Sequence, residues 1–480
     1  MFMSQQEQQP NLKKTPIVAV LLIGAFMAIL NQTLLTTALP HLMHDLNITE
    51  NTAQWVTTIF MLVNGIMIPI TAFLIEKYST RGLFLTAMLL FAFGTLICAL
   101  APSFAYLMVG RVIQASGAGI LLPLMQTSLL LLFPIEKRGA AMGSAGLVIA
   151  FAPAIGPTLS GWLVEQYHWS ILFWVVLPLA VFNMIVAWIF LKNIATLRSP
   201  VLDMRSIVLS TFGFGGLLFG FSSAGDGQWG SMDVWLPIVV GVFSLVFFIR
   251  RQLQLKQPIL EFRVFRSRVF ALSTVIGMIV FVSMISATTI LPIYMQNMNA
   301  YTAFESGLIM LPGAIVMGIM SPITGRIFDR IGARYLAIPG LSLIFITSVM
   351  LSFLQADTSA EYLSVVYALR MMGTAMTMMP ITTAGINSLP RELIPHGTAM
   401  NNTMRQVAAS IGTATLVTVM TTAALSPEEA GVSPDEALIF GVNMSFVVAS
   451  GLALIGVVLS FFVRGKPKTT EKTSRLSSGG

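Results

Sequence analysis

Long runs of apolar residues constrain this chain more than any other feature of its sequence. Most runs hold about 18–25 residues, enough for a helix to cross a hydrocarbon core of roughly 30 Å. A helix satisfies its own backbone hydrogen bonds inside a bilayer, so each run predicts one transmembrane helix. We predict about fourteen, near residues 16–38, 53–75, 83–101, 105–132, 140–164, 169–191, 205–224, 234–250, 268–293, 306–326, 334–354, 361–386, 399–423 and 438–463.

The composition agrees with a membrane protein built from helices. Hydrophobic residues make up 55% of the chain and charged residues 10%, whereas a soluble domain has roughly 45–50% and 25%. The loops between the runs are too short to hold a soluble domain. We therefore predict an all-α integral membrane protein, in which residues 1–15 form a cytoplasmic tail and residues 465–480 form a disordered one.

The basic residues fall on one side of the predicted membrane. If the N-terminus is cytoplasmic, the loops and tails that carry Lys and Arg all lie inside, and the outer loops hold acids but no Lys or Arg. This pattern follows the positive-inside rule and places both termini in the cytoplasm. The sequence pI of about 9.6 therefore indicates contact with anionic lipids, not nucleic-acid binding.

Three landmarks recur in the same order in the two halves of the chain. They are Thr37-Ala38-Leu39-Pro40, Glu76 and Arg111, followed by Thr289-Ile290-Leu291-Pro292, Asp329 and Arg370. Their offsets of 252, 253 and 259 residues predict two six-helix bundles related as parallel repeats. The predicted units are an N-terminal bundle at 16–195, a two-helix insert with a cytoplasmic linker at 196–262, and a C-terminal bundle at 263–464.

The second landmark lies in a short charged turn between two apolar runs. One copy reads Gly325-Arg326-Ile327-Phe328-Asp329-Arg330-Ile331-Gly332-Ala333-Arg334, and a weaker copy reads Ala72-Phe73-Leu74-Ile75-Glu76-Lys77-Tyr78-Ser79-Thr80-Arg81. A carboxylate at a helix end accepts hydrogen bonds from arginines and from the N–H groups of a neighbouring helix start, so it can hold two helices together. The alternative is a solvated turn. The candidate gating residues are Glu76, Lys77, Arg81, Gly325, Asp329, Arg330 and Arg334.

Three arginines fall within predicted helices. Arg111 lies inside the fourth helix with Gln114 on the same helical face, and Arg370 is its counterpart in the repeat. A guanidinium inside a membrane is costly unless it faces a polar interior, so these residues and Arg405 are candidates for a substrate or proton pocket. The alternatives are a structural role for Arg111 and, for Arg405, a side chain that reaches back to the cytoplasmic face.

The first predicted helix carries neutral polar groups, Asn31 and Gln32, which we also assign to the candidate pocket. An amide does not titrate. Asn31 therefore either hydrogen-bonds a transported molecule or bridges two helices, and the sequence favours neither.

No acid falls securely in the middle of a predicted helix. All 20 Asp and Glu lie in loops, in tails or within about one turn of a helix end. Glu165, Asp226 and Glu305 are the candidates for proton coupling, because they lie near outer helix ends and a carboxyl group that enters a vestibule has its pKa raised by desolvation. The alternative is that they are ordinary loop acids.

Small residues and prolines recur in the fifth predicted helix. Those that matter are Gly146, Pro153, Gly156, Pro157 and Gly161. Glycines let helices approach closely, and each proline removes a backbone donor and favours a bend. Such a helix suits a pivot between two moving parts.

Together, the charged turn, the arginine-bearing fourth helix, the Gly-Pro pattern and the two central helices resemble the major facilitator superfamily, in its fourteen-helix drug:proton antiporter branch. Leu30-Asn31-Gln32-Thr33-Leu34-Leu35 with Ala38-Leu39-Pro40 is similar to lincomycin-efflux exporters. The resemblance implies that Arg111 belongs to a proton-linked pocket and that the fifth helix carries the antiporter motif. The chain departs from the family pattern at Asn31 and Glu76, where aspartates are usual, and at Ser79, where glycine is usual.

These features favour a secondary multidrug exporter of the bacterial plasma membrane that exchanges protons for lipophilic or amphipathic drugs. A proton-coupled nutrient symporter and a non-transporting membrane sensor are the alternatives. No nucleophile, metal set or carboxylate pair indicates an enzyme, and no phosphate-binding loop indicates ATP as the energy source. We expect no metal or organic cofactor, the proton gradient as energy source, contact with membrane lipids, and a monomer.

Overall fold

The computed structural model describes residues 14–35, 38–195, 197–198, 200–224, 229–429 and 433–463. Regular structure within these ranges is entirely helical, which confirms the predicted all-α membrane fold. The α-helices are α1 (Lys14–Leu34), α2 (Leu39–Leu46), α3 (Glu50–Lys77), α4 (Thr80–Ala99), α5 (Phe104–Leu132), α6 (Arg138–Gln166), α7 (Ile171–Phe190), α8 (Met204–Ala224), α9 (Met232–Gln254), α10 (Arg268–Asn297), α11 (Ala303–Ile331), α12 (Arg334–Met350), α13 (Ala360–Asn387), α14 (Ile394–Glu429) and α15 (Pro434–Ser460).

Thirteen helices in the described part of the chain are long and apolar enough to cross a membrane. Helix α13 has a comparable length of 28 residues but contains many threonines, glycines and one arginine. It packs against α6, α10, α11 and α12, so most of its surface meets protein instead of lipid. With α13 the count agrees with the predicted fourteen.

The end of the first membrane helix differs from the prediction. We expected a helix over 16–38, but α1 ends at Leu34, and the short helix α2 begins at Leu39. Pro40 occupies one of the first positions of α2, where a missing backbone N–H costs nothing. Apolar character alone does not distinguish a continuing helix from a new one.

The long helices form two groups of six with an insert between them. Helices α1 and α3–α7 contact one another, as do α10–α15, while α6–α11 and α3–α14 make the main contacts between the groups. We call the face where α1 and α10 begin the basic face, since the basic turns lie there, and the opposite face the acidic face. The two groups therefore meet along two seams, one on each side.

The insert is a hairpin of α8 and α9 that packs beside the α3–α14 seam. At the basic face the Arg251 guanidinium donates hydrogen bonds of 2.6 and 3.0 Å to the Asp203 carboxylate. These bonds hold the pKa of Asp203 at about 2. The charged pair therefore clamps the two ends of the hairpin throughout the neutral pH range.

Candidate functional site

Arg111 lies at the centre of a buried polar cluster in the first group of helices. Its Nη1 donates to Asn31 Oδ1 on α1 at 2.7 Å and to Gln114 Oε1 at 2.8 Å, and its Nε donates to the Val56 carbonyl on α3 at 3.0 Å. The guanidinium also lies 4.2 Å from the centroid of the Phe60 ring. Asn31 thus bridges two helices, one of the two roles that the sequence left open. Oxygen atoms of three helices stabilise the charge in place of a carboxylate.

Arg370 has the same position in the second group. Its Nη1 donates to Ser348 Oγ on α12 at 2.6 Å, and its Nη2 donates to the hydroxyl and carbonyl oxygens of Ser283 on α10 at 2.7 and 3.0 Å. Phe446 on α15 lies against the guanidinium at 5.9 Å. Arg370 is fully buried, as Arg111 is.

The repeat offsets connect the two arginine clusters residue by residue. The offset of 252 residues joins Asn31 to Ser283, and the offset of 253 joins Thr95 to Ser348. In the first cluster Gln114 links Arg111 to Thr95 through a 2.7 Å bond to the threonine hydroxyl. The offset of 259 places Gly373 opposite Gln114, and in that cluster the arginine reaches the serine directly. Both clusters join the first, third and fourth helices of their bundle.

Arg405 is bound less completely. It is 3% exposed, so it does not reach the basic face as one of our alternatives suggested. Its Nη2 donates to Asn402 Oδ1, its guanidinium lies 5.5 Å from the Phe281 ring, and its Nη1 has no hydrogen-bond partner. Asn402 in turn donates to Gln126 Oε1 on α5 at 2.7 Å. This chain of side chains crosses from one helix group to the other.

Asp329 connects the two groups at the basic face. Its two carboxylate oxygens accept hydrogen bonds from the backbone N–H groups of Gly139 at 2.7 Å and Ala140 at 2.9 Å. These N–H groups belong to the first turn of α6, where the helix dipole favours a negative charge. Beside them, Arg138 donates to Asn387 Oδ1 at 2.8 Å. We call the contact of Asp329 with α6 the aspartate latch.

The seam between α6 and α11 is closest next to the aspartate latch. A side-chain carbon at Gly139 would collide with the Gly325 carbonyl oxygen, and one at Gly143 would lie 2.5 Å from the Ser321 carbonyl oxygen. Helix α6 continues through Pro153 and Pro157. The backbones of the two helix groups therefore touch directly at this point.

The other glycines of the fifth-helix motif differ in their surroundings. A side-chain carbon at Gly146 would meet Met379 and Ser321 at 2.9 Å, and one at Gly156 would collide with the Thr33 hydroxyl on α1. Gly161 has open space around it. Close packing thus explains the glycines at the first two positions, but not the third.

Glu76 is the repeat counterpart of Asp329, and it contacts the start of α14. Its Oε1 lies 3.3 Å from His396 Nε2 and 3.8 Å from Arg198 Nη1. The backbone N–H of Glu261 donates to His396 Nδ1 at 3.3 Å. We call the contact between Glu76 and His396 the glutamate latch. Helix α14 has the same place in its bundle as α6, so the two latches are related by the repeat.

The other gating candidates do not bridge the helix groups. Lys77 lies over the Phe73 ring at 5.4 Å, and Arg81 lies over the Trp188 ring at 4.8 Å. Arg330 and Arg334 are exposed. These cations line the basic face without an inter-bundle bond. The gating candidates that cross the seams are therefore Asp329 and Gly325, which contact α6, and Glu76, which contacts α14.

Toward the acidic face the same seam widens. A cavity of about 340 Å³ lies there, and the residues that line it are Ala154, Ile155, Thr158, Leu159, Trp162 and Leu311. The walls are almost entirely apolar. The two helix groups are therefore in tight contact at the basic face and leave an open apolar groove nearer the acidic face.

The candidate proton-coupling acids are not drawn into the interior. Glu165 is exposed. Glu305 is also exposed, and its carboxylate accepts hydrogen bonds from the backbone N–H and hydroxyl of Thr302 at 2.8 and 2.9 Å, in a capping box that begins α11. Asp226 lies outside the described residues. Gln32 is half-buried beside Asn31.

The sequence interpretation missed His396, Gln126 and Asn402. His396 is 320 positions from Glu76, and nothing in the local sequence around either residue indicates the other. Gln126 is a single amide in a run of leucines. The repeat offsets, applied to every polar residue, would have found Ser283 and Ser348, which the interpretation did not use.

Comparison with known proteins agrees with this architecture. A family model described as Major Facilitator Superfamily matches residues 21–413 of this chain. An uncharacterized transporter of this type from Bacillus subtilis, YcnB, is 56% identical over 97% of this chain and 98% of its own length. The lincomycin resistance protein LmrB of Listeria innocua is 42% identical over 94% of this chain and 97% of its own length, which confirms the resemblance to that type.

The fold also matches a solved structure. The human organic anion transporter MFSD10 superposes with a TM-score of 0.68 over 94% of this chain and 100% of its own length, at 16% sequence identity. That identity shows a shared fold alone. The chain belongs to the major facilitator superfamily, a family of membrane transporters and not of enzymes.

Proposed function

We propose that the protein is a proton-coupled multidrug exporter of the bacterial plasma membrane, which moves amphipathic drugs by alternating access between its two bundles. The observation that carries this proposal is the full-length similarity to LmrB, a protein named for lincomycin resistance. Lincomycin is accordingly the first compound to test. The two latches and the buried polar chain between α5 and α14 support the alternating-access part, because they join the bundles through contacts that rocking would break.

The basic face is cytoplasmic in this proposal, as the positive-inside rule requires. A membrane-impermeant maleimide tests the orientation in intact cells. Lys137→Cys lies at the basic face and Ala356→Cys at the acidic face, and both positions are exposed. Cys98, the single natural cysteine, is buried and is replaced by Ala in both variants. We expect labelling of Ala356→Cys alone; labelling of Lys137→Cys in sealed cells would reverse the orientation.

Accumulation of radiolabelled lincomycin tests the transport function. Cells that express the protein should accumulate less drug than cells that express none, and a protonophore should restore accumulation. An accumulation that stays low without the gradient contradicts proton coupling. Higher accumulation in expressing cells, driven by the gradient, would instead indicate a symporter.

Arg111 provides a matched test inside the protein. Arg111→Lys keeps the positive charge but loses the planar fork that contacts Asn31, Gln114 and Val56 together. We expect at least tenfold weaker efflux with normal membrane insertion, since about 1.4 kcal/mol corresponds to a factor of ten. Arg250→Lys, an exposed position at the end of α9, is the control and should retain full efflux.

A further inference from the structure

Six of the buried polar atoms without hydrogen-bond partners belong to α5 and the first half of α14, and others lie elsewhere in the described helices. The six are Gln126 Nε2, Thr127 Oγ1, Thr398 Oγ1, Asn401 Oδ1, Thr403 Oγ1 and Arg405 Nη1. Each belongs to a side chain that is at least nine-tenths buried. A buried polar atom that lacks a partner is destabilising and uncommon in native proteins. Gln126 and Arg405 lie at the two ends of the polar chain that crosses between the bundles, where a ligand can supply the missing partners.

The direction of the hydrogen bonds identifies which partners are missing. A guanidinium only donates, so Arg405 fixes the oxygen of the Asn402 amide toward itself. The Asn402 nitrogen then faces Gln126, whose oxygen accepts the bond. The Gln126 nitrogen is left as a donor. The chain Arg405–Asn402–Gln126 therefore ends in unpaired donors on both sides, and it requires a ligand with acceptor atoms.

The positive charge of Arg405 narrows the chemical class of the ligand further. Arg111 and Arg370 each donate to three oxygen atoms, whereas Arg405 donates to one side-chain oxygen and faces an aromatic ring. Within the described residues, Arg405 forms no ion pair. A buried guanidinium with so few partners favours an anion over a neutral acceptor, because a charged acceptor forms the stronger bond in a water-poor interior.

We propose that Arg405, together with Gln126, binds a carboxylate or similar anionic group on the transported compound. This inference rests on the proposed export function and adds anionic amphipathic compounds to its substrates, beside lincomycin, which carries no carboxylate. The Asn402–Gln126 bond joins the two bundles, so separation of α5 from α14 breaks it and frees the donor Asn402 Nδ2, in addition to the unpaired donors Gln126 Nε2 and Arg405 Nη1. The arriving carboxylate then replaces the bond between the bundles.

Equilibrium binding of two matched dyes tests the site without a proton gradient. Dansyl-phenylalanine ends in a carboxylate, and its carboxamide is neutral but otherwise the same. Fluorescence of the purified protein in lipid nanodiscs should show at least tenfold tighter binding of the carboxylate, a difference of about 1.4 kcal/mol. Equal affinities for the two dyes, or no binding of the carboxylate, overturn the proposal without any variant.

Substitutions then test whether Arg405 causes the tighter binding of the carboxylate dye. Arg405→Gln should remove the difference in affinity between the two dyes while leaving the affinity for the carboxamide within about twofold. Arg405→Lys should keep part of that difference. Arg250→Gln removes one exposed charge far from the site and should change neither affinity. If Arg405→Gln does not fold, Gln126→Leu, which removes the second donor, should weaken carboxylate binding selectively.

Equal loss of both dyes in a folded Arg405→Gln or Gln126→Leu protein would contradict the assignment. The binding measurement is independent of the efflux measurement. A protein that exports lincomycin but shows no carboxylate preference retains the proposed function and contradicts this inference alone. A protein that prefers the carboxylate dye but exports no drug retains the anion site and contradicts the proposed export function.

Discussion

The two latches occupy equivalent positions in the repeat but bind through different groups. In the aspartate latch, Asp329 accepts from two backbone N–H groups at the start of α6. In the glutamate latch, the longer side chain of Glu76 meets the imidazole of His396 at the start of α14. One contact depends on the main chain of a helix end, and the other depends on the side chain of a single residue.

The difference shows that equivalent positions of a repeat can join equivalent pairs of helices through different groups. A backbone N–H group of Glu261 can only donate, so the Nδ1 atom of His396 accepts and the Nε2 atom faces Glu76. The glutamate latch therefore depends on one side chain that a substitution can remove, whereas the partners of Asp329 are main-chain N–H groups.

The largest expected effect comes from Gly139→Ala. The new methyl group meets the Gly325 carbonyl oxygen and the Phe328 ring, so α6 and α11 must separate and the aspartate latch opens, at about 1–3 kcal/mol. Spin labels at Lys137→Cys and Tyr335→Cys, in the Cys98→Ala protein, should report a longer distance across this seam. Gly161→Ala, which has open space, is the control; a similar change there would show that alanine in α6 is disruptive in itself.

Asp329→Asn is expected to act through the charge and through one hydrogen bond, because an amide offers a single acceptor oxygen to the two N–H groups. The amide keeps an acceptor but loses the negative charge at the helix start, and bonds to charged groups are worth about 1.5–3 kcal/mol. A loss of about 2 kcal/mol shifts the balance between closed and open latch roughly thirtyfold. The same pair of spin labels measures it. An unchanged distance distribution would show that the backbone contact between the glycines, not the carboxylate, holds this seam.

His396→Gln tests how much the glutamate latch depends on the imidazole. Glutamine lacks the ring that accepts from the Glu261 N–H and contacts Glu76 at the same time. We expect a loss of about 1 kcal/mol, or roughly a fivefold shift toward the open latch. Spin labels at Tyr78→Cys and Glu392→Cys, both exposed, measure it.

In the same variant the labels across the aspartate latch should not respond. The substitution leaves the contacts of Asp329 with α6 unchanged, so its effect should be confined to the glutamate latch. A distance change of similar size across the aspartate latch would show that the two latches open together and would remove the contrast between them.

The smallest effect is expected from Arg198→Ala. The guanidinium lies 3.8 Å from Glu76 with half of its side chain exposed, and exposed ion pairs contribute about 0–1 kcal/mol. The distance across the glutamate latch should shift by less than in His396→Gln, and the shift should shrink further in high salt. An effect larger than that of His396→Gln would make Arg198 the principal partner of Glu76.

The fold could be predicted almost completely because each helix has to be long and apolar by itself. The predicted and observed helix ends agree to within six residues, with the largest difference at α14, and the sequence did not predict the separate short helix α2. Arg111 and Gln114 could be paired because three residues along a helix fix their direction. The counterpart of Arg111 followed from the repeat.

The contacts between helices were harder to predict because they depend on how each helix is rotated about its own axis. The sequence identified Glu76 and Asp329 as gating candidates, but the α14 side of the glutamate latch, His396, is separated from Glu76 by most of the chain. For the same reason the sequence did not indicate the hydrogen bond between Gln126 and Asn402. Glu165 was predicted as a proton-coupling acid but is exposed. The local sequence near a helix end does not indicate whether an acidic side chain points into the bundle or away from it.

The three buried arginines have an electrical consequence. Arg111, Arg370 and Arg405 put positive charge within the bundles, while each Asp or Glu of the described helices lies within about one turn of a helix end. Moving one elementary charge through a potential of 100 mV changes the free energy by about 2.3 kcal/mol. A membrane potential that is negative inside therefore pulls these guanidinium groups toward the cytoplasm, and bundle motion becomes voltage dependent to the extent that it carries them along the membrane normal.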